Sequence, residues 1–322
     1  MPLKTAPSPE RGVPWHWNLN NATIMGSKGN YPLFWTYTFT TLAIVLWGFS
    51  FVWTNDILQR GVAPFTFLFV RLFLAGIILY TGSRLAGKLQ KLEKKDYKWV
   101  ALMAFFEPFI YFLGETYGMK ATNSAVLSAV IIATIPVFTL MAERVLYKVP
   151  LTVFKIFGTA ITIPGIIMVI MKDGETASAE HFYGIVLLFM AVAGSIGYSS
   201  VVKKLSGRYN SITITTYQFV IGSLFFLPLF LAFGLDGLNS TFFSKEVMAP
   251  LLALTILCSC LSFACWVASI KRLGMTKTSI FSALIPAVSA VGAAMLGQEE
   301  VTLITVAGIA VVISGVIIAQ RN

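Results

Sequence analysis

The chain of 322 residues has few charged residues, few cysteines and very few histidines. Charged residues make up 12% of it and hydrophobic residues 57%, and the mean hydropathy is +0.78. Because soluble domains carry about 25% charged residues, this composition excludes an ordinary soluble globule and favours an integral membrane protein. The two histidines, His16 and His181, both lie in hydrophilic segments. This placement argues against a buried histidine relay or a histidine-based metal site.

The three cysteines, Cys258, Cys260 and Cys265, share one apolar run in which no histidine lies nearby. This pattern is typical of small buried side chains rather than of metal ligands. The sequence also contains no catalytic triad, no metal-ligand spacing and no phosphate-binding glycine loop. We therefore expect no cofactor, no metal and no enzymatic activity.

Ten apolar runs have the length of about 20 residues that crosses a bilayer. Their predicted limits, spans 1 to 10, are 34–56, 64–84, 99–118, 124–142, 154–171, 182–202, 212–235, 248–270, 279–297 and 302–319. The predicted domains are a disordered cytoplasmic arm (1–33), a first five-helix repeat (34–172), a polar extracytoplasmic connector (173–181) and a second five-helix repeat (182–322).

Basic residues are concentrated in alternate loops, which orients the chain in the membrane. Lysine and arginine cluster between spans 2 and 3, 4 and 5, 6 and 7, and 8 and 9, whereas the other connectors contain few of them. We therefore predict a multi-pass protein of the plasma (inner) membrane with both termini in the cytoplasm. The net charge of +10 follows from this orientation and does not indicate binding to nucleic acid.

The two halves match each other when the sequence is shifted by 150 residues. The matching pairs are Pro136/Pro286, Thr152/Thr302, Gly158/Gly308 and Gly165/Gly315. Chance similarity between membrane helices is the alternative, but four such pairs at one offset favour a duplication. Because each repeat has an odd number of spans, the second repeat enters the membrane from the opposite side. The predicted fold is an all-α integral membrane protein with ten transmembrane helices in two inverted five-helix repeats, which is typical of transporters.

Short motifs are spread along the chain, four of them in the first half and one in the second. They are Trp47-Gly48-Phe49-Ser50, Phe69-Val70-Arg71, Ala133-Thr134-Ile135-Pro136-Val137-Phe138, Leu151-Thr152 and Leu296-Gly297-Gln298-Glu299. In this order the chain resembles the drug/metabolite transporter superfamily, in particular its ten-span EamA-type members, over roughly residues 34–320. It departs from that pattern at Val149-Pro150, where a Gly-Glu-Arg-like end to span 4 is common. The resemblance implies transport of amino acids or similar small metabolites through a central cavity.

Ionisable side chains at membrane depth indicate function, because a charge near the bilayer centre costs about 2.5–3.5 kcal/mol. Glu107 lies near the middle of span 3, and Tyr111 and Glu115 follow it at helical spacing on one face. Either this face lines a cavity with a protonatable carboxylate, or it forms a buried ion pair that joins two helices. Arg71 in span 2 is the expected counter-charge for one carboxylate, and structural pairing is its favoured role.

Aromatic and small polar residues complete the predicted pathway for substrate and protons. They are Trp47, Ser50, Tyr198, Ser199, Trp266 and Ser282. Helix packing is the alternative role for each of them. Pro108, Pro136 and Pro286 are expected to kink spans 3, 4 and 9, because proline removes a backbone donor. The repeat glycines are expected to let helices pack closely.

Three functions follow from these patterns. The leading one is a secondary active transporter that moves a small organic metabolite by alternating access, with proton coupling through Glu107 or Glu115 as an option. The second is an uncoupled facilitator or channel, and the third is a membrane-embedded enzyme or structural subunit. The expected partners are the lipid bilayer, a small-molecule substrate and, under coupling, protons. No oligomeric state follows from the sequence.

Overall fold

A computed structural model describes residues 32–147, 152–171 and 178–319. Within these ranges the regular structure is entirely helical, as expected in a bilayer, where a helix satisfies its own backbone polar groups. Eight of the described helices are long and apolar enough to cross a membrane. The predicted all-α, multi-span fold is confirmed. The predicted cytoplasmic arm, Val149-Pro150 and most of the polar connector lie outside the described residues.

Helices occupy every predicted span. Within the described residues the uninterrupted ones are Leu33–Gln59 (span 1), Pro64–Leu85 (span 2), Val153–Ile170 (span 5), Ala179–Leu205 (span 6), Ser211–Phe233 (span 7) and Leu303–Ala319 (span 10). The helix of span 10 has 17 described residues, and neither this helix nor span 3 is among the eight candidates for a membrane span. The count of ten membrane crossings therefore stays a prediction.

Spans 3, 4, 8 and 9 change their winding along their length. Span 3 consists of Tyr97–Ala104, Phe105–Ile110 and Tyr111–Thr122, and span 8 of Lys245–Ala253, Leu254–Ser262 and Phe263–Leu273. In both spans the middle piece has wider, π-type turns. Span 4 consists of Ala125–Ile132 and Ile135–Tyr147, and span 9 of Met275–Ser279, Ile280–Leu284 and Ile285–Met295. The changes thus occur in the third and fourth spans of each half.

The break in span 3 lies at Glu107, directly before Pro108. The backbone of Glu107 is extended, with φ −149° and ψ 115°, inside the π-type segment. Proline disfavours helical geometry in the residue that precedes it, which accounts for the position of the break. The break therefore falls at the carboxylate that the sequence places near mid-membrane.

The breaks in spans 4 and 9 lie just before their repeat prolines. In span 4 the helix stops at Ile132 and restarts at Ile135, one residue before Pro136. In span 9 a 3₁₀ segment ends at Leu284, and Pro286 lies in the first turn of the helix that follows. A first-turn proline costs no hydrogen bond, because the first N–H groups of a helix have no intrahelical partner. Each proline thus begins a new helix at matching places of the two halves.

The helices of the two halves contact each other in matching pairs. Span 2 packs along span 7 and span 5 along span 10, so that corresponding spans meet. Span 3 packs on span 6 as span 8 packs on span 1, and span 4 packs on span 6 as span 9 packs on span 1. Each of these contacts between the halves thus has a counterpart in which the corresponding spans have changed places. A pseudo-twofold relation between inverted repeats produces such pairs of contacts.

Spans 5 and 10 approach each other at the repeat glycines. A Cβ atom added to Gly165 would lie 2.8 Å from the carbonyl oxygen of Gly308, and one added to Gly315 would lie 2.8 Å from that of Gly158. Favourable carbon contacts lie at about 3.5–4.0 Å, so the two backbones could not come this close with any larger residue. The predicted role of these glycines in close packing is confirmed.

Candidate functional site

A small cavity lies beside the broken middle of span 3, facing spans 1, 2, 4, 6, 8 and 9. Its volume is about 40 Å³, which holds a few water molecules but no organic solute. Eight of the ten predicted pathway residues line it, namely Trp47, Ser50, Arg71, Glu107, Tyr111, Glu115, Trp266 and Ser282. Residues from both halves thus line one cavity.

The other two predicted pathway residues, Tyr198 and Ser199, are buried but do not line this cavity. The Tyr198 hydroxyl donates to Gln218 Oε1 over 3.0 Å and so joins span 6 to span 7. Ser195, one helical turn earlier, lines the cavity in their place. Of the polar residues that span 6 offers to a pocket, Ser195 lines this cavity, whereas Tyr198 and Ser199 do not.

Several apolar cavity residues were not among the predicted pathway residues. They are Phe51, Phe112, Ile132, Ile135, Phe263 and Ile285. Apolar side chains give no signal in a membrane helix, because packed faces and lipid-facing surfaces use the same residue types. One signal was available, since Ile135 and Ile285 directly precede the repeat prolines that begin new helices.

The two carboxylates of span 3 are both buried, with Glu107 5% exposed and Glu115 6%. The Tyr111 hydroxyl donates to Glu115 Oε1 over 3.2 Å. Ser195 lies within hydrogen-bonding reach of Glu107, but Glu107 Oε2 is buried without a partner. Because an unpartnered buried carboxylate oxygen is costly, this atom marks a point where a proton or a ligand would be stabilised.

Arg71 does not form the expected ion pair in this conformation. No oxygen of Glu107 or Glu115 lies within 4.0 Å of its guanidinium, as judged within the described ranges. Its Nε instead donates to Ser259 Oγ over 3.0 Å, and its guanidinium carbon lies 4.8 Å from the centroid of the Phe112 ring. The charge is therefore held by a hydroxyl of span 8 and an aromatic face of span 3.

Trp47 both packs against a neighbouring span and lines the cavity. Its Nε1 donates to the carbonyl oxygen of Cys258 over 3.2 Å, and its ring lies 5.0 Å from the rings of Phe263 and Trp266. Cys258 lies in the π-type segment of span 8, where wider turns leave backbone carbonyls free for other donors. The two alternatives for Trp47, packing and pocket lining, are thus both realised in the geometry.

At one end of the bundle the two halves are joined by Glu299, in the connector between spans 9 and 10. Its Oε1 accepts hydrogen bonds from the backbone N–H groups of Ala125 (2.6 Å) and Val126 (3.2 Å), and its Oε2 accepts one from Ser124 Oγ (2.9 Å). A carboxylate at a helix N-terminus is favourable because it satisfies free N–H groups and the helix dipole. The second half is thereby attached to the start of span 4.

The other end of the bundle is held by Asp96, in the loop between spans 2 and 3. Its carboxylate accepts from Arg208 Nη1 over 2.7 Å and from the Tyr209 hydroxyl over 2.9 Å, which joins this loop to the loop between spans 6 and 7. Burial disfavours the charged form of Asp96, but the hydrogen bonds from Arg208 and Tyr209 outweigh burial and lower its pKa below the usual value. Contacts between the halves thus exist at both ends of the cavity.

His181 is buried although the sequence around it is hydrophilic. Its side chain is only 5% exposed, and its Nε2 has no hydrogen-bond partner within the described residues. It lies in the first turn of span 6. It does not line the cavity described above.

The sequence model of the EamA-like transporter family matches this chain twice, over residues 34–171 and 182–320. The chain belongs to the EamA-like transporter family. The resemblance drawn from its short motifs is thereby confirmed, and the protein is a membrane transporter by family. The proteins that it matches are named transporters, not enzymes.

Relatives of this EamA-like protein include mostly uncharacterised transporters. One from Archaeoglobus fulgidus is 25% identical over 281 residues, which cover 87% of this chain and 97% of the relative. A probable terminal-alkyne amino-acid exporter of Streptantibioticus cattleyicolor is 27% identical, over 61% of this chain and 64% of the relative. A solved crystal structure superposes with a TM-score of 0.68 at 14% identity, covering 88% of this chain and 97% of that one. This last likeness shows a shared fold alone.

Proposed function

We propose that this EamA-like protein is a secondary active transporter of the plasma membrane. It moves an amino acid or a similar small metabolite by alternating access, and protons couple to the cycle through Glu107. The observation that carries the proposal is the small cavity of about 40 Å³, in which two buried carboxylates meet side chains from both halves. An alternating-access site changes its size between conformations, and a cavity too small for a solute fits a conformation without bound solute.

The breaks in the helices support a moving cavity. The wall of the cavity includes Glu107 at the break of span 3, Ile135 at that of span 4 and Ile285 at that of span 9. Helix breaks at membrane depth are tolerated where the freed backbone faces protein or a cavity. Rotation of helix pieces about these points would change the cavity while the closely packed spans 5 and 10 stay together.

The contacts at the two ends support alternating access. Opening one end would separate Glu299 from the start of span 4, whereas opening the other would separate parts of the two halves near Asp96. With five spans in each of the repeats 34–172 and 182–322 and with cytoplasmic termini, the two ends face opposite sides of the membrane. The Glu299 end then faces outward.

The buried carboxylate of Glu107 supports proton coupling. Glu107 lines the cavity and has one buried carboxylate oxygen without a hydrogen-bond partner, and the cavity beside this residue has room for water. The amino-acid substrate draws support from the name of the Streptantibioticus relative. The mixture of carboxylates, Arg71 and aromatic rings in the cavity fits a small solute with both polar and apolar parts.

Reconstitution in liposomes tests the proposed function. A solute found by ligand-induced thermal shift of the purified protein is loaded on one side, and its flux is followed with and without an imposed pH gradient. We expect a gradient to drive the solute to a higher concentration on one side, and Glu107→Gln to abolish this accumulation. Flux that only equilibrates the solute, whatever the gradient, would instead identify an uncoupled facilitator or channel.

A further inference from the structure

Arg71 holds hydrogen-bond donors that no protein group uses. A guanidinium has five N–H donors, and within the described part of the chain only the Nε–H of Arg71 is hydrogen-bonded, to Ser259 Oγ. The side chain is 3% exposed and lines the cavity. A buried cation with unmatched donors is unfavourable, so the arrangement favours an anion that arrives through the cavity.

The residues around Arg71 leave the unused N–H donors of its guanidinium open for such an anion. The charge of Glu115 acts on Arg71, but its carboxylate lies more than 4.0 Å from the guanidinium. This carboxylate instead accepts a hydrogen bond from the Tyr111 hydroxyl. The contacts with Ser259 and with the Phe112 ring hold the guanidinium in place. The remaining donors then form a fixed fork, the geometry that matches a carboxylate in a bidentate pair.

The second half of the chain has no arginine at the position that corresponds to Arg71. At the weaker offset of 147 residues that aligns the first three spans of the halves, Arg71 falls on Gln218. Gln218 accepts from the Tyr198 hydroxyl and does not line the cavity. Among the residues that line the cavity, Arg71 of the first half is the one basic side chain, so a solute that carries a carboxylate would bind in one orientation.

We infer that Arg71 binds the carboxylate of the transported solute and selects amino acids with an apolar side chain over the corresponding amines and amides. This inference rests on the proposed transport function. In this arrangement the ammonium group of the solute pairs with the carboxylate of Glu107, and the rings of Trp47, Phe263 and Trp266 cover the solute's side chain. Arg71 thereby becomes a specificity-determining residue.

Matched solute series test the inference on the wild-type protein in liposomes. Labelled L-leucine and L-phenylalanine are the transported probes, and their amides and the amines that lack the carboxylate are the competitors. Because a hydrogen bond to a charged group is worth about 10–100-fold in affinity, we expect amides and amines to compete at least about tenfold more weakly than the amino acids. Equal competition by all members of a series would overturn the inference.

Variants separate a binding role from a structural one. Arg71→Gln introduces the residue of the second half, and Arg71→Lys keeps the charge but removes the fork. We expect the preference for amino acid over amide to disappear in the first variant and to be partly kept in the second. If Arg71 is only structural, both variants lower the transport of every solute by the same factor and leave the preference unchanged. Arg84→Gln, an exposed arginine of the same span, is the matched control.

The outcomes also separate this inference from the proposed function. Flux of a nucleoside, sugar or amine in the same liposomes, with no flux of either amino acid, would overturn the role of Arg71 and leave transport in place. Absence of flux for every solute tested would overturn transport itself, and with it the assignment of Arg71.

Discussion

At Glu107, burial, a carboxylate and a break in the helix occur in one residue. The ring of Pro108 lies against Gly222 of span 7, where an added Cβ would come within 2.8 Å of Pro108 Cδ. On span 6, a Cβ on Gly194 would lie 2.9 Å from the carbonyl oxygen of Phe106. Glycines on the two neighbouring helices thus make room for the irregular backbone of span 3, and the unpartnered carboxylate remains at the cavity wall.

Replacement of this carboxylate tests its role. Glu107→Gln keeps the size and hydrogen bonding of the side chain but removes the titratable group. Since Glu107 makes no ion pair with Arg71 in the described structure, the variant should insert and unfold thermally like the wild type. We expect it to lose most transport, or the dependence of transport on pH, in liposomes.

Ser199→Ala is the matched control for this variant, because Ser199 is buried at membrane depth but does not line the cavity. It should leave transport unchanged. If Glu107→Gln is strongly destabilised, and Arg71→Met restores its stability, the two residues act as a structural pair and the proposed proton role is wrong.

Cavity residues could be predicted from the sequence only where their chemistry is unusual for a membrane. Charged residues such as Arg71 and Glu115 stand out because burying a charge in lipid is expensive. Phe112 and Ile132 do not stand out, since apolar residues occur equally on packed and on lipid-facing surfaces. The hydrogen bond from Arg71 to Ser259 joins positions 188 residues apart, so that only the packing of the spans reveals it.

Spans 5 and 10 make a close backbone contact through the repeat glycines. The side chains of Ile156 and Phe157 on span 5 are each 59% exposed, as expected for a helix pair with one face toward lipid. Without a hydrophobic driving force between helices in a bilayer, such pairs depend on close packing of small residues. This contact is therefore expected to stabilise the whole bundle.

A single methyl group tests this packing. Gly165→Ala places a Cβ 2.8 Å from the carbonyl oxygen of Gly308 and should destabilise the protein by about 1–3 kcal/mol, the usual cost of overpacking. Gly82→Ala is the control, because nothing lies within 4 Å of its added Cβ. Alanine there should be neutral or slightly stabilising through its better helix propensity. Thermal unfolding in detergent measures both, and equal effects at the two positions would contradict the packing role.

The loop contact of Asp96 should give the protein a defined acid sensitivity. The native pKa of Asp96 lies below the ordinary value, which is about 3.9 for an unfolded chain. Its contribution to stability is therefore complete above that value and is lost as the pH falls through the lowered native pKa. We expect Asp96→Asn to lower the melting temperature at pH 7, and the difference from wild type to shrink when unfolding is measured below about pH 4.

Asp56→Asn is the control for the loop contact. Asp56 forms an ion pair with Arg60 one helical turn away, and both side chains are partly exposed. Exposed pairs of this kind contribute about 0–1 kcal/mol, so little change is expected at any pH. A difference between Asp96→Asn and wild type that stays constant from pH 7 to pH 3 would contradict an ionised native Asp96.

For the whole molecule, the all-helical fold with several membrane spans could be predicted because lipid imposes a length and an apolar composition on every spanning helix. The correspondence between the two halves followed from their sequence match at a shift of 150 residues. The contacts that join the halves at the two ends of the bundle were harder to predict. Glu299 lies 175 residues from Ser124, and Asp96 lies 112 residues from Arg208. Only the packed bundle brings such pairs together.

Orientation in the membrane is the property on which alternating access depends. Reporter domains fused after Lys91, after Lys204 and at the C-terminus should all report cytoplasm, because these positions follow clusters of basic residues that stay inside. Reporters inserted near Leu238 and near Glu299 should report the opposite side. Both of these loops contain few basic residues, and each follows a span of the second half.

The insertions near Leu238 and Glu299 decide between two arrangements of the halves. With five spans in each repeat, the connectors after spans 7 and 9 face outward, and the contact of Glu299 with the start of span 4 closes the outer end of the cavity. A cytoplasmic signal at Glu299 together with a cytoplasmic C-terminus would mean that span 10, with its helix of 17 residues, does not cross the membrane. The halves would then no longer be inverted copies with the same number of crossings. Span 3 packs on span 6 as span 8 packs on span 1. In that case, these matching contacts could not be the basis of two mirror-related conformations.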